Sequence, residues 1–321
     1  MTELSIIMPL FNNERYVGQA IQSLLSQSYT DFELIIVDDA STDKSLQIVK
    51  SFSDSRIRIL LNHQNQGIVY SRNKGLEAAR GTYIAPFDSD DVAMPEKFRK
   101  QIDFLKTHPE YGMIGSWAEQ INEEGKILKT KWKLDASPQS IPSILLFRNY
   151  FVQSSIVLRR ESIPVGGYKL GYDIVEDYIM WADVSRIYIT GNFPEYLVQY
   201  RIHSQSSTAF DDEHLKRCEA KVFQHIYSQL DIEINDLEAR ILQTIKSKKN
   251  IINLKELAEV EDFLLLLLSQ NKKLQLYDER ELEKVVFNRW IKSCYKARFQ
   301  NIGILRVLMG SSLSKLFLVG I

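Results

Sequence analysis

Apolar and polar positions change period repeatedly along the first hundred residues. Leu4 to Met8 is a compact apolar run stopped at Pro9, and Glu14 to Gln27 then places Val17, Ile21, Leu24 and Leu25 at helical spacing. Glu33 to Val37 and Ile57 to Leu61 are two more strand-type runs, with a helix predicted from Asp43 to Phe52 between them. Ile68 to Ala79 reads as a helix stopped by Arg80-Gly81, followed by a strand from Thr82 to Phe87. Strands apolar on both faces and separated by helices predict an α/β fold with a mainly parallel sheet flanked by helices.

Pro95 opens another predicted helix, to about Thr107. Met113 to Gln120 and Ile127 to Trp132 look like strands around the Glu124-Gly125 turn, Val152 to Leu158 like another strand, and Glu176 to Arg186 like a helix. From Glu213 onward the chain is rich in Leu, Lys and Glu with few strand signals, which predicts a helical appendage. The expected division is a catalytic region over residues 1–210, in halves of about 1–110 and 111–210, and a helical region over 211–321.

The bulk composition narrows the function. The 40 basic and 41 acidic residues cancel, so no overall field favours nucleic acid. Cys218 and Cys294 fit no metal-ligand spacing and suit reduced, buried thiols. Met1-Thr2-Glu3 lacks a basic leader region, and no run approaches the roughly 20 apolar residues of a spanning helix; the longest candidate is Phe263 to Leu268. A cytoplasmic protein is expected, with peripheral attachment to the inner face of the membrane left open.

In such a sheet, ligands gather beyond the carboxyl ends of the strands. Three polar clusters stand there: Pro9, Phe11, Asn12, Asn13 and Glu14 after the first strand, Asp38 to Asp43 after the second, and Asp88-Ser89-Asp90-Asp91 after the fourth. Ser41, Thr42 or Asp43 suits the N-cap of the next helix, but capping does not explain the pair Asp38-Asp39. A solvated turn is the plain alternative for Asp88 to Asp91. Carboxylates brought so close repel one another unless a cation lies between them. Oxygen ligands suit Mg²⁺ or Mn²⁺ shared with substrate phosphates, and the lack of a Cys or His cluster argues against zinc. Neither a G-x-G-x-x-G nor a G-x-x-x-x-G-K-[ST] segment occurs, which argues against dinucleotide and P-loop enzymes.

These residues resemble the family 2 glycosyltransferases, which have the GT-A fold. The resemblance rests on Pro9-Leu-Phe-Asn12, Val37 to Asp43, Asn65-Gln-Gly67, Ser71 to Gly75 and Phe87 to Asp91 in that order, then Val175 to Tyr178 with Trp181, and Tyr200-Arg-Ile-His203. It implies a UDP-sugar donor bound by Pro9, Phe11, Glu14, Asp38, Asp39, Arg72, Asp88 and Ser89. Phe11 stands where the family often has Tyr. Asp90 is implied as the principal ligand of Mn²⁺ or Mg²⁺, with His203 either a second ligand or an ordinary hydrogen-bonded histidine. Glu176 and Asp177 match the family's acidic pair, the aspartate being the usual general base. Both could instead merely cap their helix. The implied reaction is inverting transfer of a GlcNAc-, Glc- or Gal-type sugar to a glycan hydroxyl. Ile114 to Ala118 and Glu176 to His203 look most like bacterial lipo-oligosaccharide β-1,3-N-acetylglucosaminyltransferases. Arg201 is expected to bind phosphate or pin its loop, and Trp181 to wall the acceptor site or belong to the core.

Two rival readings stand beside this one. A nucleotidyltransferase would need a Gly-rich, Arg-containing loop after the first strand, and Pro9 to Glu14 has neither residue. A catalytically inactive sugar-nucleotide-binding scaffold would keep the pocket but not the turnover. After Glu283 the chain has no acid but carries Lys284, Arg289, Lys292, Lys296, Arg298, Arg306 and Lys315, interleaved with Phe287, Trp290, Tyr295, Phe299, Leu305, Leu308, Leu316 and Phe317. That pattern suits contact with anionic headgroups, and a lipid-linked acceptor would make it useful; a solvated helical bundle is the alternative.

Overall fold

A computed structural model describes residues 2–204, 212–247, 253–297 and 310–314. It divides into two compact units, Met1–Pro138 with Tyr150–Cys218 and Gln139–Asn149 with Glu219–Ile321.

The first unit contains, in chain order, β1 (Leu4–Leu10), α1 (Val17–Leu25), β2 (Phe32–Asp38), α2 (Ser45–Lys50), β3 (Ile57–Leu61), α3 (Ile68–Ala78), β4 (Tyr83–Pro86) and β5 (Val92–Ala93). After α4 (Lys97–Thr107), β6 (Tyr111–Ile121) and β7 (Ile127–Trp132), the chain visits the second unit through α5 (Ile141–Leu145). It returns for β8 (Val157–Arg159), α6 (Glu176–Ile187) and β9 (Ile189–Arg201). The sheet order is β3-β2-β1-β4-β8-β6-β9-β5, with β7 paired to β6.

Strands β3, β2, β1 and β4 are parallel, as their mainly apolar runs separated by helices predict. Successive residues of these strands feed opposite cores. Ile6, Met8, Leu34, Ile36 and Ala85 pack with Val17, Ala20, Ile21 and Leu24 of α1, whereas Ile7, Ile35, Val37 and Ile84 pack with Leu76 and Ala78 of α3. The other half is mixed: β8 runs antiparallel to β4 and β6, β9 runs parallel to β6, and β5 antiparallel to β9.

Several elements depart from the sequence expectation, and β5 and α5 have no predicted counterpart. Gln153–Ser155 forms a 3₁₀ turn where a strand was predicted, because the Ser155 hydroxyl and N–H both donate to the Val152 carbonyl and pull the chain round. The strand begins only at Val157. Helix α2 starts late, since the Asp43 carboxylate accepts from Ser45 N–H at 2.8 Å and holds the preceding residues in a turn. The 13-residue β9 was not predicted; it contains Gly191 and Pro194, and its register against β6 shifts three times, which erases the alternation a strand would show.

The second unit is helical: α5, the later part of α7 (Asp212–Ser228), α8 (Asp236–Lys246), α9 (Leu254–Leu274) and α10 (Glu279–Ala297). Capping boxes at Asn235/Glu238 and Asn253/Glu256 start α8 and α9. Part of the expected amphipathic surface turns inward. Trp290 is fully buried with its Nε1 donating to Ser314 Oγ, Lys296 donates to the Thr244 and Ile245 carbonyls at the end of α8, and Arg289 lies over the Phe147 ring. Lys284, Lys292 and Tyr295 stay exposed. Arg298, Phe299, Leu305, Arg306, Leu308, Lys315, Leu316 and Phe317 lie outside the described residues. Among the described residues no helix is long and apolar enough to cross a membrane.

Lys97, the first residue of α4, is fully buried, with Nζ donating to Gln101 Oε1 at 3.0 Å. Burial holds its amine well below the ordinary value of 10.5. The folded state therefore binds this proton less readily than the unfolded chain, and stability should rise with pH towards 10.5. Denaturation midpoints followed from about pH 7 to 10 should climb in the wild type and climb less in Lys97→Met, the difference approaching at most about 1.4 kcal/mol per pH unit. Equal slopes would mean that Lys97 is charged in the folded protein.

Candidate active site

β1, β2 and β4 end side by side, and the loops that follow them are laced together. After β1 the chain turns through Asn12 at φ +46°, whose Oδ1 accepts from Thr42 N–H at 2.7 Å and whose own N–H donates to Ser41 Oγ. Asn13 donates from its backbone to Ser45 Oγ and from Nδ2 to Ser89 Oγ, both at 2.7 Å. Glu14 Oε2 accepts from Lys44 N–H at 2.8 Å. Glu14 and Ser89, expected beside the donor, thus serve first as braces between loops. Pro9 is buried in β1 opposite Val37, and the Phe11 ring stands 47% exposed just past the strand.

Asp38 and Asp39 are both buried at the end of β2. Asp38 Oδ2 accepts from Ser41 N–H, while its Oδ1 is buried with no partner among the described residues. Asp39 is enclosed by the loop after β3: Asn62 Nδ2 and Gln66 N–H donate to Oδ1 at 2.7 and 2.9 Å, and Gly67 N–H to Oδ2 at 2.9 Å. Gly67, at φ +88° and ψ 166°, occupies a region essentially reserved for glycine, and that geometry aims its N–H at Asp39 as α3 begins.

The loop after β4 carries the densest charge. Ser154 Oγ accepts from Asp88 N–H. Asp90 Oδ2 lies 2.8 Å from His203 Nε2, whose ring packs 4.9 Å from that of Tyr16. Asp91 is buried, and its Oδ1 accepts from Arg201 N–H at 2.9 Å. Burial, reinforced by repulsion from Asp90 and Asp88, pushes the Asp91 carboxyl well above the ordinary range. Arg201 pins this loop. Its guanidinium is buried and donates to the carbonyls of Asp90, Asn122 and Glu123 and to Gln19 Oε1, at 2.7 to 3.2 Å.

Arg72 joins the two halves of the unit. From α3 its Nε donates to Glu176 Oε1 at 3.0 Å and its Nη2 to Asp88 Oδ1 at 2.9 Å. Burial opposes its charge, yet Asp88 and Glu176 together hold it protonated. Burial raises Glu176, and Arg72 draws it back down. Glu176 Oε2 is buried without a hydrogen-bond partner among the described residues. Asp177, the next residue, is only partly buried on the first turn of α6. Trp181 on the same helix is fully buried, which makes it core.

Beside His203 a polar cleft of about 400 Å³ is lined by Asn12, Asn13, Glu14, Arg15, Tyr16, Asp43, Glu123 and Ser204. The expected residues therefore fall into three connected groups: Asp39 with the β3 loop, Arg72 with Asp88 and Glu176, and Asp90 with His203. Among the described residues no three His, Cys, Asp or Glu side chains form a ready cation cage. The Asp90 carboxylate is a donor that suits Mn²⁺ or Mg²⁺ completed by phosphate and water, while the His203 Nε2 is engaged with Asp90 Oδ2 and stands behind it. The scaffold roles of Asn13, Asn62 and Ser154 escaped the sequence reading, for their partners lie 76, 23 and 66 positions away and no local pattern marks them.

Arg72→Met would leave Glu176 buried and unpaired, and should destabilise the protein by roughly 3 kcal/mol or more at neutral pH. With its folded pKa raised further, Glu176 favours the fold while protonated and opposes it as pH rises. Urea unfolding should therefore show a smaller deficit near pH 5 than near pH 8. A deficit equal at both would show that Arg72 acts through packing alone.

The model of the family "Glycosyl transferase family 2" matches residues 5–167. An uncharacterized glycosyltransferase of Haemophilus influenzae is 33% identical over 224 residues, covering 65% of this chain and 69% of the relative. The Escherichia coli UDP-Glc:alpha-D-GlcNAc-diphosphoundecaprenol beta-1,3-glucosyltransferase WfgD is 32% identical over 181 residues, 56% of this chain and 69% of its own. Among solved structures, S. aureus TarS in complex with UDP-GlcNAc superposes with a TM-score of 0.59 at 17% identity, over 96% of this chain and 92% of TarS, a likeness of fold. The fold is GT-A, and the chain belongs to glycosyl transferase family 2.

Proposed function

We propose that this chain is an inverting glycosyltransferase that moves a GlcNAc-, Glc- or Gal-type sugar from UDP to a glycan hydroxyl in the assembly of a bacterial surface polysaccharide or lipo-oligosaccharide. The observation that carries the reading is the join made by Arg72. It ties Asp88, at the donor edge of the sheet, to Glu176, at the start of the helix that bears the second acid. WfgD, named for transfer from UDP-Glc to a diphosphoundecaprenol-linked acceptor, supports a UDP-sugar donor and a lipid-linked acceptor. TarS, solved with UDP-GlcNAc, supports the same donor class.

Phe11 offers an exposed ring to a nucleobase, and Asp39 sits in a frame of donors that fixes its carboxylate for the uracil edge. Asp90, with His203 behind it, would hold a divalent cation. Mn²⁺ or Mg²⁺ in that place would draw charge from the departing diphosphate. Asp177 is the better base of the acidic pair. Glu176 is 5% exposed at its side chain and ion-paired with Arg72, whereas Asp177 is only partly buried. Proton removal by Asp177 as the hydroxyl attacks opposite the leaving group inverts the anomeric carbon without a covalent intermediate.

The place of action is proposed as the cytoplasm, at the inner face of the membrane, where Lys284, Lys292 and Tyr295 on α10 would meet anionic headgroups. Co-sedimentation with phosphatidylglycerol vesicles at low salt tests this. Recovery wholly in the supernatant would remove the membrane from the proposal.

UDP release from a panel of UDP-sugars, with Mn²⁺ and with EDTA, tests the reaction itself. Asp90→Ala should lose both Mn²⁺-dependent thermal stabilisation by UDP and turnover. Asp177→Asn should bind UDP within about two-fold of wild type yet lose transfer by 10²-fold or more, the mark of an interaction made only in the transition state. Wild-type UDP binding without turnover across acceptors would favour a sugar-nucleotide-binding scaffold instead.

A further inference from the structure

Residues 163–175 lead the chain from β8 to the acids that open α6. Away from the buried Tyr168 and Val175 and the Lys169–Asp183 ion pair this segment is thinly packed: Val165 and Leu170 are exposed, and Gly166, Gly167 and Gly171 all have positive φ. It is gripped from α3. The Asn73 side chain accepts from Tyr168 N–H and donates to Tyr168 C=O, both at 2.8 Å, so one amide holds both polar groups of a single backbone residue. Gly167, at φ +69°, makes the grip possible, because a Cβ there would lie 2.5 Å from Asn73 Oδ1. The buried Tyr168 ring lies beside the Arg72 guanidinium, 5.6 Å from Cζ to centroid, and its hydroxyl accepts from Gln153 Nε2. Consecutive residues of α3 thus hold the segment's backbone and, through Arg72, the Glu176 carboxylate.

Between these two grips lies Ile174 at φ +64°. A β-branched side chain is strained there, and such strain persists only where the surroundings over-determine it. We infer that Asn73 is a positioning residue for transfer: by fixing Tyr168 it holds Ile174 in its left-handed turn and so sets where Asp177, next to the Arg72-held Glu176, meets the acceptor. Its effect on turnover rests on the glycosyl-transfer reading; its effect on the segment does not.

Three variants test the inference: Asn73→Ala, Ile174→Gly and the two combined. Hydrogen–deuterium exchange of amides 168–178 in Asn73→Ala should quicken by about ten-fold or more, while β1 to β4 exchange as in wild type. UDP affinity with Mn²⁺ should stay within about two-fold, and UDP release from the UDP-sugar that wild type turns over fastest should fall ~10- to 100-fold, the scale of a misplaced catalytic group. Because glycine takes positive φ without strain, the two substitutions should together cost less than the product of their separate losses. Unchanged exchange in 168–178, multiplicative losses, or a fall in UDP affinity matching the fall in turnover would each overturn the inference. If wild type releases UDP from no UDP-sugar, the transfer reading fails instead. The clamp is then decided by exchange alone, with Ile174→Gly expected to restore slow exchange partly in the combined variant.

Discussion

A guanidinium buried between two carboxylates holds this catalytic unit together. Arg72 is 4% exposed and reaches Asp88 on one side and Glu176 on the other, residues 16 and 104 positions away. Charges so enclosed are costly to separate, because removing any one strands the others in a medium that solvates them poorly. The fork therefore fixes distance as well as charge. The β4 loop and the first turn of α6 keep a constant separation because both are hydrogen-bonded to one rigid, planar group.

Much of the first hundred residues was legible from period and punctuation alone. Leu4 to Met8 and Glu33 to Val37 are strands buried along their whole length, as the central strands of a parallel sheet must be, and the polar clusters after them and after β4 stand at one edge of the sheet. Legibility failed where structure is made by distant partners. β9 follows β6 through three register shifts, so no regular alternation survives in its sequence. The 3₁₀ turn at Gln153–Ser155 comes from a serine bonding its own neighbourhood, although the residues around it favour a strand.

The site was legible as a list of acids and hidden as a set of partnerships. Asp39, Asp90 and Glu176 could be named from their positions after strands or at a helix start. That Asp39 is framed by Asn62, Gln66 and Gly67, or that Arg201 serves main-chain oxygens, follows only from the packed chain. In the helical unit the composition after Glu283 suggested a cationic face, yet Trp290 and Lys296 spend their side chains on internal contacts. Composition reports what is present, and packing decides which side it faces.

The way Arg201 anchors the Asp90–Asp91 loop has a consequence for working conditions. Three of its acceptors are peptide oxygens, which neither ionise nor exchange with buffer. An acid-rich turn tied down through its own carboxylates would slacken whenever those groups gained a proton or lost a counter-ion. One of the three peptide oxygens, the Asp90 carbonyl, belongs to this turn, so that tie outlasts acidification, whereas the ties made by the Asp90 and Asp91 carboxylates to His203 and the Arg201 N–H depend on those groups staying ionised.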